Sequence, residues 1–287
     1  GNVRDAHNSI SMAVDGDENN IKWVITTAGT SYIVGDLKKV DGTWTFNGVA
    51  PQTKIFTNMP LWTNRGELYA TQSFFNDKLG RRILMSWMID NTADLIKGKT
   101  WNGAQSLPVS VELVTVNGMY SLKVSPVEEL KNNYDGQACL IEDTTLSEED
   151  GGLEIAGLYE NLYDLTLTLD VGTAKKATLT FAADETNQSV LTLDFENHTA
   201  TLDLTQSGKY LSYSITSAMV PENGKVTVRL VMDVSVVEVF INDAQNMESY
   251  VFPPEGATGV RVNAYGGAVT IERLVINYLK SIHEVNL

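Results

Sequence analysis

"YDLTLTLDV", residues 163–171, alternates apolar and polar side chains almost without a break. Wound into a helix, Leu165, Leu167 and Leu169 would scatter around the circumference; in a strand they share one face. The same two-residue period recurs in "KATLTFAAD" (176–184), "SVLTLDFEN" (189–197), "TATLDLTQSG" (199–208), "KVTVRLVMD" (225–233) and "SVVEVFIND" (235–243). Asp41-Gly42, Asn117-Gly118 and Asn223-Gly224 punctuate such runs, and these dipeptides suit two-residue hairpin turns. The chain therefore reads as all-β and antiparallel. One helix is expected, in "SPVEELKNN" (125–133), with Ser125 as cap, Pro126 in the first helical position and Glu128 completing a capping box.

All five tryptophans, Trp23, Trp44, Trp62, Trp87 and Trp101, precede that helix, and regular aliphatic strands follow it. This asymmetry divides the chain into residues 1–118, a connecting segment with the helix at 119–136, and a β-sandwich at 137–287. The 287 residues, 43% of them apolar, can bury one large core or two ordinary ones.

A net charge of −15 argues against a nucleic-acid surface, which needs clustered Lys and Arg. No apolar run approaches the roughly 18 to 20 residues of a membrane span. The lone Cys139 excludes an intrachain disulfide. "KGKT" (97–100) lacks the first glycine of a phosphate-binding loop, which would fall at Ala93. "DGDENN" (15–20) begins like a calcium loop, but Asn20 replaces the loop glycine and Thr26 the twelfth-position glutamate, so a polar hairpin turn is expected. His7, His198 and His283 stand apart from one another in sequence, and neither a metal nor another cofactor is expected.

"GRRILMSWM" (80–88), "WNGAQSLP" (101–108) and "DVSVVEVFIND" (233–243) together resemble glycoside hydrolase family 32, the invertases, levanases and other β-fructosidases. The likeness continues through "IKWVITTAG" and "SYIVGDL" (21–37), "ELYATQSFF" (67–75), "SPVEELK" (125–131) and "YVFPPEGATGVRVNAYGGAVTIERLVI" (250–276). It implies a partial five-bladed β-propeller followed by a β-sandwich, acting on a carbohydrate of fructan or sucrose type. Roughly 118 residues make only about two four-stranded blades. An uncovered blade face is then expected to be closed by a second copy, a rearranged sheet or a missing N-terminal segment.

The resemblance also names site residues. Such hydrolysis uses two carboxylates, a nucleophile and an acid/base. The family's nucleophile belongs to an Asn-Asp-Pro-type motif that these residues lack. Arg4-Asp5 matches an Arg-Asp-Pro motif by its letters, with Ala6 for proline, whereas its distance from Lys22-Trp23-Val24 places Asp5 near the acid/base position. Asp5 is the candidate catalytic residue and Arg4 a candidate substrate contact; the competing reading is a paired charge on an exposed strand. Trp101 corresponds to a pocket tryptophan and Tyr69 to a family tyrosine, although Glu67 and Leu68 alter the preceding pattern and Val109 stands where arginine is common. Trp87, inside an alternating strand, is expected in the core, and Glu238 in a structural hydrogen bond or ion pair. Two functions remain open: a retaining β-fructofuranosidase, with this chain inactive alone, and a non-catalytic fructan-binding or structural module. By the habit of the resembling enzymes, an extracellular or periplasmic location is expected.

Overall fold

The computed structural model describes residues 6–27, 31–55, 68–74, 76–89, 103–208 and 213–281. It divides into two units, Gly1–Val127 and Glu128–Leu287.

The first unit contains β1 (Ala6–Val14), β2 (Asp17–Thr27), β3 (Ser31–Val40), β4 (Thr43–Gly48), β5 (Thr53–Lys54), β6 (Leu68–Ser73), β7 (Arg82–Met88), β8 (Ala104–Gln105), β9 (Val109–Val116) and β10 (Met119–Pro126). They form two four-stranded antiparallel meanders, β1-β2-β3-β4 and β6-β7-β9-β10, joined by a parallel pairing at one position, Val14 with Leu113. Tight turns set the registers. Asp15-Gly16, Asp41-Gly42 and Asn117-Gly118 all have positive φ, the mirror-image turn whose twist matches the flanking strands. The stretch beginning at Asp15 is thus a hairpin turn, as its letters suggest, and Asp17–Asn20 already belongs to β2.

Each meander buries one face. Ile10, Met12, Val14, Val24, Tyr32 and Val34 line the first, and Leu68, Leu84, Met88, Val111, Leu113, Leu122 and Val124 the second. The backbone N–H of Leu122 donates to the Tyr32 hydroxyl at 3.3 Å, and Arg82 Nε donates to the Ser11 carbonyl at 3.2 Å. These bonds tie one meander to the other over a common core.

Residues 119–126, expected in the connecting segment, are instead the strand β10. Tyr120, Leu122 and Val124 follow the strand period, and all eight residues pair with β9. The expected helix is a short 3₁₀ segment, Glu128–Asn133, that begins beyond Ser125 and Pro126. Ladder pairing with Ser110 and Val109 claims those two residues, and Glu128 forms an ion pair with Lys131 rather than a capping box.

The second unit contains β11 (Tyr134–Ser147), β12 (Leu153–Ile155), β13 (Leu162–Asp170), β14 (Lys176–Ala183), β15 (Gln188–Asp194) and β16 (Thr199–Gln206). It continues with β17 (Ser214–Ala218), β18 (Lys225–Asp233), β19 (Val236–Ile241), β20 (Gln245–Tyr250), β21 (Gly259–Tyr265) and β22 (Ala268–Leu279). Two six-stranded antiparallel sheets result, β11-β22-β13-β18-β19-β20 and β12-β21-β14-β15-β16-β17. Leu165, Leu167 and Leu169 are buried, as are Leu179, Leu191, Leu193, Leu202 and Leu204. The alternation of "YDLTLTLDV" therefore does what its period predicts. Val234 lies in the β18–β19 turn with φ 54° and is exposed.

On the other side of the first sheet, Asp164 is buried and accepts from Arg229 Nε at 3.0 Å and from Arg229 Nη2 at 2.7 Å. Tyr134 donates its hydroxyl to the same carboxylate at 2.7 Å. Burial first, and this hydrogen bond second, push the Tyr134 phenol up, so it stays a donor at all working pH values.

Candidate functional site

Arg4, Asp5 and Trp101, three of the four residues expected at the site, lie outside the described residues. The fourth, Tyr69, stands on β6 and is half-buried. It pairs directly across the ladder with Trp87 of β7, and Trp87 pairs on its other side with Gln105 of β8. An aromatic, an aromatic and an amide thus form one row across three strands.

Trp87 corrects the expectation that it belongs to the core. Its neighbours Ser86 and Met88 are buried, and alternation turns Trp87 outward, leaving it 41% exposed. The sequence period was sound; its parity was decided by which face of β7 met the first meander. The two rings meet edge to face, with centroids 6.3 Å apart and planes 69° apart, the geometry that aromatic quadrupoles favour.

Gly103 closes the row at the indole edge. Its φ is +80°, and a Cβ there would stand 2.8 Å from Trp87 Nε1 and 3.2 Å from the Met88 carbonyl oxygen. Any side chain would collide with the ring, which explains the glycine of "WNGAQSLP". Below the row, hydroxyls pin the strands together. Thr71 and Ser86 share a hydrogen bond of 2.8 Å; the Ser86 N–H donates to Ser106 Oγ at 3.0 Å, and Ser106 Oγ donates to the Leu107 carbonyl at 3.1 Å. All three hydroxyl residues are buried, so this scaffold is rigid where the aromatic row faces water.

An indole face half open to water can cover the C–H face of a sugar ring, while an amide such as Gln105 takes hydroxyls. Hydrolysis requires more: an acid held protonated near neutral pH. Asp77, Asp36 and Asp194 are displaced the other way. Arg81 holds Asp77 down to about 2, Lys22 lowers Asp36, and Asn197 with Lys176 holds Asp194 at about 2. Two carboxylates do stand side by side in the second unit, Glu238 opposite Glu248 on β19 and β20. At 4% and 1% exposure they offer a sugar ring no access, in keeping with a structural role for Glu238. Among the described residues, no group of three or more His, Cys, Asp or Glu is placed to hold a metal ion.

Comparison with known proteins agrees with this architecture. The family model for the glycosyl hydrolases family 32 N-terminal domain matches residues 6–126, and that for the glycosyl hydrolases family 32 C-terminal region matches residues 129–278. A levanase of Bacillus subtilis is 26% identical over 98% of this chain and 43% of its own length. A fructan beta-fructosidase of Streptococcus mutans is 25% identical over 86% of this chain and 18% of its own length. Among solved structures, the exo-inulinase of Aspergillus awamori superposes with a TM-score of 0.78 at 21% identity, covering 95% of this chain and 56% of that one. Fructan 1-exohydrolase IIa of Cichorium intybus gives 0.72 at 18% identity, covering 96% and 60%. The chain spans less than half the length of those two curated relatives.

Proposed function

The chain belongs to glycosyl hydrolase family 32, and from that membership we infer that it serves the hydrolysis of β-D-fructofuranosides of fructan or sucrose type, contributing the sugar platform and the sandwich. The observation that carries this reading is the exposed Trp87 indole, set edge to face with Tyr69 and closed by Gly103. In this reading Trp101 and Arg4 are substrate contacts and Asp5 the candidate catalytic residue, as the family resemblance implies. The two meanders correspond to about two blades of a propeller.

On this reading the chain does not turn over substrate alone. It contains no Asn-Asp-Pro-type nucleophile motif, and Asp36 and Asp77 are held in the ionised form by Lys22 and Arg81, unsuited to protonating a leaving oxygen. The same facts favour, as second reading, a fructan-binding or structural accessory module. Because levan and inulin are polymers outside most cells, we place the protein in an extracellular or periplasmic setting.

Incubation with sucrose, inulin and levan, with binding and sugar release followed side by side, tests these readings. Binding without release is expected, weakened at least tenfold by Trp87→Ala with the fold intact by circular dichroism. Release that disappears in Asp5→Asn would show an active local site instead, and binding indifferent to Trp87→Ala would remove the platform.

A further inference from the structure

The second unit carries an aromatic surface of its own. Tyr159, in the connection between β12 and β13, is 69% exposed, and among the described residues no large apolar or aromatic side chain of that unit is more so. Its ring lies on that of Tyr278, with centroids 4.3 Å apart and planes 36° apart. Tyr278 is buried and pairs across the ladder with the fully buried Tyr163, so the stack is founded on the sandwich core. The side of the Tyr159 ring away from Tyr278 meets water. Its backbone is fixed: the Tyr159 N–H donates to the Tyr278 hydroxyl at 3.0 Å, the Leu158 carbonyl accepts from Thr258 Oγ1 at 2.9 Å, and Asn161 Nδ2 donates to the Ala257 carbonyl at 2.8 Å. Packing alone would have buried the ring; these bonds hold it at the surface. A ring already held in place loses little freedom when a ligand settles on it.

Polar groups border the stack. Asp135 and Lys280 form an exposed ion pair at 3.4 Å. Partial desolvation first, then the charge of Glu160 and more weakly that of Asp135, raise the Tyr159 phenol, which stays a hydrogen-bond donor.

We propose that Tyr159, seated on Tyr278 with Glu160 beside it, is a second carbohydrate-binding site, which takes a neutral sugar ring of a β-fructofuranoside chain. The ligand class rests on the function proposed above, whereas the site rests on the stack. One exposed ring can cover the C–H face of one sugar, and a carboxylate at its edge accepts strongly from sugar hydroxyls. Glu160, Asp135 and the chain's charge of −15 oppose an anionic ligand. A protein partner fits less well, because a single tyrosine offers at most about 250 Å², against about 800 Å² per partner in a standard interface.

The full chain, Trp87→Ala, Tyr159→Ala and the double variant are compared by affinity electrophoresis through gels containing levan or inulin, with circular dichroism and melting temperature confirming each fold. Trp87→Ala should keep part of the wild-type retardation. Adding Tyr159→Ala should weaken what remains by roughly tenfold, whereas Tyr159→Phe, which keeps the ring, should cost about twofold. Should Tyr159→Ala fail to fold, Glu160→Ala in the Trp87→Ala background should weaken retardation by about threefold, and no change would overturn the site. Retardation abolished by Trp87→Ala alone, or unmoved by Tyr159→Ala in either background, would overturn the site and leave the Trp87 platform standing. Retardation that responds to Tyr159→Ala and not to Trp87→Ala would remove the platform and keep the site; a wild type that is not retarded would overturn both. A dimer in sedimentation that Tyr159→Ala disperses would also overturn the site, by making a second copy the occupant.

Discussion

The outer faces of two antiparallel sheets in this molecule share a geometry and differ in chemistry. On the second sandwich sheet, one row across five strands reads Asn263, Thr178, Thr192, Thr201, Thr216, with a hydroxyl–hydroxyl bond of 2.9 Å between the last two. β-branched hydroxyl residues satisfy both the strand backbone and water. On the first meander the corresponding side is Ile21, Trp23, Ile25, Leu37, Phe46 and Trp44. The first face is polar toward solvent, and the second leaves Trp44 and Ile21 exposed to it. Antiparallel pairing alone does not distinguish them; the side chains at alternate positions do.

The units also place their ion pairs differently, and the largest expected effect sharpens that contrast. Asp164 is 1% and the Arg229 side chain 16% exposed, so Arg229→Ala strands a buried carboxylate. Loss of about 3–5 kcal/mol is expected in chemical denaturation followed in the second unit. A loss near zero would mean that Tyr134 alone holds the charge.

In the first unit, Asp77 accepts from the backbone N–H groups of Leu79 and Arg81 and from the Arg81 guanidinium at 3.0–3.1 Å, at the surface of the β6–β7 turn. Its pKa falls from 3.8 to about 2, chiefly through Arg81. A depressed folded-state value means the contribution is complete above about pH 4 and disappears as pH falls through about 2. Acid titration of wild type and Asp77→Asn should therefore diverge above that window and converge below it. Parallel curves would assign the shift no part in stability.

The smallest effect tests the faces themselves. Trp44→Thr, on the uncovered side, should change the stability of the isolated chain by under about 0.5 kcal/mol while lowering the fluorescence of a bound hydrophobic dye. A destabilisation of 2 kcal/mol or more would show that Trp44 already has a cover within the chain.

How much of this was legible beforehand varied with the kind of signal. Period-two alternation located the sandwich strands, because one buried face forces that pattern, and the Asp-Gly and Asn-Gly pairs located hairpin turns because only such residues accept positive φ cheaply. Ser125-Pro126 misled: the local letters of a helix start were overridden when β9 offered Met119–Pro126 eight ladder partners. Trp87 misled for another reason, since alternation gives a period and not a phase. Gln105 and Gly103 carried no sequence signal of a site until the register set them against the indole.

By itself the amino-acid order determined the all-β class, the strand periods, the hairpin turns and the family resemblance, since these depend on residues near one another in sequence. Tertiary structure alone decided which side of each strand is inside. That choice is made where non-local faces meet, and it turned Trp87 toward water, buried Asp164 with Arg229 and left the first meander with an apolar side exposed.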